Sequence, residues 1–196
     1  MAVLGPRPRS KENRGPIERP RVRATPDPEL GLTPCYEKVV RILLRKLSDD
    51  RHVLQIIRED GRSEEVECET RSYFHHDLLH YAVEAEARLD GGFWGNLAKG
   101  KTLAQMNDRT GKAMQAESPQ MMAIEQVVGA LSAIGKGGSA NTIVAAIHDA
   151  ATSAGVAFPA WLTSELASAI GERMRRLLGQ WKATPYGESM TLSWPP

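Results

Sequence analysis

The sequence predicts an α+β fold: a small antiparallel sheet of three or four strands packed against four or five helices, behind a disordered amino-terminal leader. Three observations carry this. Between residues 37 and 69, short β-rich runs alternate with turn signals. From residue 73 the apolar spacing becomes helical and stays so to about 182. A composition of 41% hydrophobic and 25% charged residues suits a packed core, and 196 residues fit one ordinary domain with a tail.

Residues 1–33 hold six of the twelve prolines, seven Arg or Lys and four acids, a local charge of +3 (seven minus four). Proline removes backbone donors, and little apolar surface is present to offset ordering entropy. This segment reads as a disordered leader. Its acids are interspersed with its bases and it has no aromatics, so any nucleic-acid contact through it is weak.

The domain is expected over 34–196, opening with a three-stranded meander across 37–69. EKVVRILLRKLS, RHVLQIIRED and SEEVECET are its strands. Ser48-Asp49-Asp50 marks the first turn, and Asp60-Gly61 is a hairpin signal because glycine accepts positive φ freely. A helix over 36–47 also fits the apolar spacing of the first run. The first clear helix occupies 73–89, without Gly or Pro, and stops at Gly91-Gly92. GGFWG then reads as a bent connection whose aromatics enter the core, followed by a short helix from Thr102. Ser118-Pro119 starts the next helix, and Ser139 or Asn141 caps another that ends at Gly155. The last runs from Pro159 or Thr163 to Trp181, with Arg173, Arg175, Arg176 and Lys182 toward its negative dipole end. SMTLSW, 189–194, alternates and reads as an edge strand.

The chemistry concentrates in YFHHDLLHYAVE, residues 73–84, which holds three of the five histidines. At roughly 100° per residue, Phe74, Leu78, Tyr81, Ala82, Ala85 and Leu89 share an apolar face, with His75 pointing into it near Leu79. His76, His80 and Glu84 fall in a separate row beside Asp77 and Arg88. His76 and His80, at i and i+4, lie one turn apart and can reach one ion. Glu84 lies about 12 Å along the axis from His76, too far to join that ion on a straight helix; it is left to pair with Arg88 or to complete a separate metal site with His80. Asp77 is the candidate general base. Asp90, Asp108, His148 and Asp149 are candidates for a third ligand, and zinc or iron(II) is the ion this donor set suits.

His76-Asp77-Leu78-Leu79-His80 resembles the H-E-x-x-H motif of zinc metalloproteases, with aspartate for the general-base glutamate. The resemblance covers five residues. The downstream glutamate ligand of that family has no counterpart in AKGKTLA, 98–104, so a peptidase is not expected. The same run is similar to the His-Asp-x-x-His of proteins that assist ubiquinone biosynthesis, but Gly92 stands where their following glutamate would be, with Asp90 near. HD phosphohydrolases pair a His-Asp like His76-Asp77 with an upstream histidine, for which His52 is available; that family is all helical, whereas His52 falls in a hairpin.

Other signals exclude more than they assign. No apolar run approaches a membrane span, the start is too short for a secretory signal, and Cys35 and Cys68 lack a C-x-x-C spacing. A cytoplasmic protein with reduced thiols is expected. AIGKGGSANT misses the phosphate-loop spacing and has Gly137 where that loop needs Ser or Thr. ERMRRLLGQWK reads as an amphipathic helix on its own core or as a partner-binding helix. Two ligands do not make a site, so the favoured reading is a non-catalytic interaction or regulatory module with a protein partner at the sheet edge or last helix. The alternative is a metal-dependent hydrolase or related small-molecule enzyme at His76 and His80.

Overall fold

The computed structural model describes residues 39–106, 119–134 and 138–196. The leader, Cys35, Asp108, Ser118 and the turn at 135–137 lie outside the described residues.

Three consecutive strands form the meander: β1 (Val40–Lys46), β2 (Arg51–Arg58) and β3 (Ser63–Glu69). The first run is therefore strand, and its helical alternative is not adopted. Its register explains why, since Val40, Ile42 and Leu44 all face one side and are buried there. Gly61 takes φ +83° in the second hairpin, as the Asp-Gly signal requires. The final strand, β4 (Ser189–Trp194), pairs antiparallel with β1, so the sheet order is β3-β2-β1-β4.

A π-helical turn, Thr70–Phe74, leads into α1 (His75–Glu86). Then come α2 (Phe93–Ala98), α3 (Leu103–Met106), α4 (Pro119–Ile134), α5 (Ala140–Ala154) and α6 (Ser164–Ala183). GGFWG is thus a helical start and not merely a bend. The expected caps hold: Ser139 accepts from the Thr142 amide and Thr163 from the Leu166 amide. Among the described residues no helix is long and apolar enough to cross a membrane.

The helices cover one face of the sheet. Phe74, Tyr81 and Trp181 pack there: Phe74 and Trp181 against each other and against His52, Tyr81 against Trp194. Lys46, on the same side of β1, donates Nζ to the Trp181 and Thr184 carbonyls at 3.2 and 3.1 Å and so caps the end of α6. Helix α1 lies at the centre of this layer, in contact with α2, α4 and α6. Every residue from Leu78 to Ala85 is consequently buried, and the single apolar stripe expected from periodicity becomes burial all round. His75, by contrast, is exposed.

Candidate metal centre

His80 and Glu84 illustrate how packing changes what a helical row can do. Both are buried, at 2% and 0% exposure, because α2 and α4 close over that side of α1. Glu84 does not meet Arg88. Its carboxylate accepts three backbone amides at the start of α2, from Phe93 at 2.8 Å, Trp94 at 3.0 Å and Gly95 at 3.2 Å. Those donors have no partner inside the helix, so a buried carboxylate from another element does the work of an N-cap side chain. Gly92 makes this possible: a Cβ there would stand 2.1 Å from the Glu84 Cδ atom.

Glu84 also presents Oε1 to the His80 Nδ1 atom at 3.4 Å. On its other side, His80 Nε2 faces Glu125 Oε1 of α4, also at 3.4 Å. Neither nitrogen has an aligned hydrogen bond, which leaves two polar atoms of a buried ring unsatisfied. Burial pushes the His80 pKa down, but the Glu125 and Glu84 carboxylates outweigh it and raise it to about 9. The Glu125 carboxyl is held down, chiefly by His80, whereas burial raises Glu84 against the opposing pull of His80 and the amides.

His76 is exposed one turn before His80, their ring centroids 4.6 Å apart. Its Nδ1 lies 3.5 Å from Asp77 Oδ1. One donor atom each from His76, His80 and Glu125 lies within 4.8 Å of the others. Around an ion bound at about 2.0–2.1 Å in tetrahedral geometry, neighbouring donors sit about 3.3 Å apart. The 3.4 Å from His80 Nε2 to Glu125 Oε1 is long for a hydrogen bond but matches co-ligands.

The structure thus brings His76 and His80 together and adds Glu125, which sequence reasoning did not single out. Asp90 pairs with Lys99 at 2.8 Å, and His148 and Asp149 are exposed on α5, where the His148 ring lies against Phe158. None of these joins the histidines in a three-donor cluster among the described residues. His52, the upstream histidine of the HD resemblance, is fully buried against Phe74 and Trp181, with Nδ1 3.2 Å from the Thr70 hydroxyl. No protein-family model, curated protein or solved structure matches this chain.

Proposed function

We propose that this protein binds a divalent metal ion, zinc or iron(II), through His76, His80 and Glu125, and uses it on a small polar substrate. The observation that carries the reading is the buried His80 ring, whose Nε2 faces Glu125 at 3.4 Å with no hydrogen bond to satisfy it. Two imidazoles and a carboxylate form the donor set of several catalytic metal sites, in which three protein ligands leave positions free for water and substrate. Such an ion would lower the pKa of bound water and polarise a substrate oxygen.

The chain's own residues have distinct roles in this reading. Glu84 fixes the His80 ring from behind by facing Nδ1, so Nε2 is the atom offered to the ion. Asp77 stands in the same relation to His76 Nδ1, which favours orienting that ligand over the general-base role read from the sequence. Exposure of His76 and half-exposure of Glu125 leave the centre open to solvent from one side. A cytoplasmic location belongs to this reading, as the compartment in which Cys68 stays a free thiol.

The test is elemental analysis of tag-free protein purified without chelator, with His76→Ala and Glu125→Gln beside it. Both altered side chains reach solvent, so the fold is expected to survive and circular dichroism checks it. About one zinc or iron per chain, lost in both variants, is expected. Absence of metal from wild-type protein after incubation with either ion refutes the proposal.

A further inference from the structure

The two edges of the sheet differ in a way that the metal site does not explain. Backbone hydrogen bonds fix which residues face outward at each edge. The Leu47 amide donates to the Arg51 carbonyl and the Lys46 amide to the Glu188 carbonyl. Odd-numbered residues of β1 therefore bond to β2 and even-numbered ones to β4, and the register carries this alternation across the sheet. In β4, Met190, Leu192 and Trp194 bond to β1, whereas Ser189, Thr191 and Ser193 turn their amides and carbonyls outward. At the opposite edge the Arg58 amide donates to the Arg62 carbonyl, so the outward positions of β3 are Ser63, Glu65, Glu67 and Glu69. Three glutamates thus guard the β3 edge against strand addition. The β4 edge, SMTLSW, carries neither charge nor proline.

Among the described residues β4 pairs with β1 alone. The Ser193 carbonyl accepts the Tyr81 hydroxyl at 2.9 Å, and the Tyr81 ring packs on Trp194, which closes that end of the edge. The outward amides and carbonyls of Ser189 and Thr191 have no partner among the described residues.

We propose that β4 pairs antiparallel with β4 of a second copy of the chain, joining two four-stranded sheets into one of eight strands. The register follows from the groups that are free. Ser189 placed opposite Thr191 of the second copy exchanges both N–H···O bonds with it, and a two-fold axis perpendicular to the sheet repeats the pair. Four main-chain bonds then form from groups that have no other partner. Met190 stands beside its own equivalent at the axis, on the helix side of both sheets, where it is already buried. Gly187 falls opposite Ser193 and brings no side chain against the Tyr81 hydroxyl. No like charges are opposed in this register, whereas β3 paired with itself would set glutamates against one another. An uncharged strand that presents the same free donors and acceptors twice over is its own complement, which favours a second copy over a charged segment of another protein.

A single pair of short strands is a small contact, so the association is weak and concentration-dependent. It rests on main-chain bonds and is therefore insensitive to salt.

Sedimentation of the full chain over a concentration series tests this, with Thr191→Pro and two double variants, S189K/T191K and S189K/T191E. Both side chains are exposed and the Thr191 amide makes no bond within the sheet, so the fold is expected to survive, and melting curves check it. Wild-type protein is expected to move from monomer toward dimer as concentration rises. Thr191→Pro removes two of the four bonds and is expected to stay monomeric. S189K/T191K sets lysine against lysine twice and is also expected to stay monomeric. S189K/T191E sets lysine against glutamate twice and is expected to dimerise at least as readily as wild type. Wild-type protein that is monomeric at every concentration overturns the proposal. So does a dimer that survives Thr191→Pro, or one that responds alike to the two double variants.

Discussion

Replacing Glu84 by Gln removes one charge from a group with no exposure, and the structure sets the size of the effect. Three amides converge on the two carboxylate oxygens, and His80 Nδ1 lies against one of them. The amide side chain keeps one acceptor and turns an NH₂ group toward donors, so at least one buried backbone N–H loses its partner, at about 1–3 kcal/mol. The surviving bonds fall from the charge-assisted range of about 1.5–3 kcal/mol toward the neutral range of about 0.5–1.5 kcal/mol. The sum is about 3–5 kcal/mol, as expected for breaking a buried charged network by one partner. Urea unfolding of chelator-treated protein, followed by tryptophan fluorescence, measures it; buried Trp94 lies in the segment that Glu84 holds. With a slope near 2 kcal/mol/M, the midpoint should fall by about 1.5–2.5 M. Glu125→Gln, half-exposed on α4, should cost about 1 kcal/mol or less in the same metal-free assay. A Glu84→Gln loss below about 1 kcal/mol would refute the assignment of Glu84 as the anchor of α2.

Gly92→Ala attacks the same contact sterically, with its new Cβ at 2.1 Å from the Glu84 Cδ atom. It should destabilise by about 2–4 kcal/mol, and combined with Glu84→Gln the two losses should be clearly less than additive in urea titrations. Metal-free stability should also depend on pH at two separate histidines. His80 is raised from 6.5 to about 9, so its contribution is present below pH 6.5 and is lost as pH rises toward 9; His80→Gln should flatten that limb of a midpoint-against-pH profile. His52 is lowered, first by burial and then by Arg51, against the opposing charge of Asp77. Its contribution is therefore present above pH 6.5 and lost on acidification, a limb that His52→Asn should reduce. Lys46→Met removes the two carbonyl contacts at the end of α6 and should lower stability by about 1–2 kcal/mol, read as a drop in melting temperature.

The sheet was legible because its signals are local. Alternation in SMTLSW and the Asp60-Gly61 turn state face and register within a few residues, and Ser139 and Thr163 announce their helices at the first turn. The His76–His80 pair was legible for the same reason, being one helical turn apart. Glu125 was not, because it lies 45 residues beyond His80 on a helix whose docking angle no local pattern states. The position of His75 was misjudged from periodicity for a related reason. A single apolar stripe describes a helix with one covered side, whereas α1 is buried on all sides from Leu78 to Ala85 and exposed at His75 and His76. Glu84 reads as a partner for Arg88 or a ligand beside His80 and proves to be the group that joins α1 to α2; the trace it left in the sequence was Gly91-Gly92, which reads as a helix stop and whose second glycine clears space for a carboxylate.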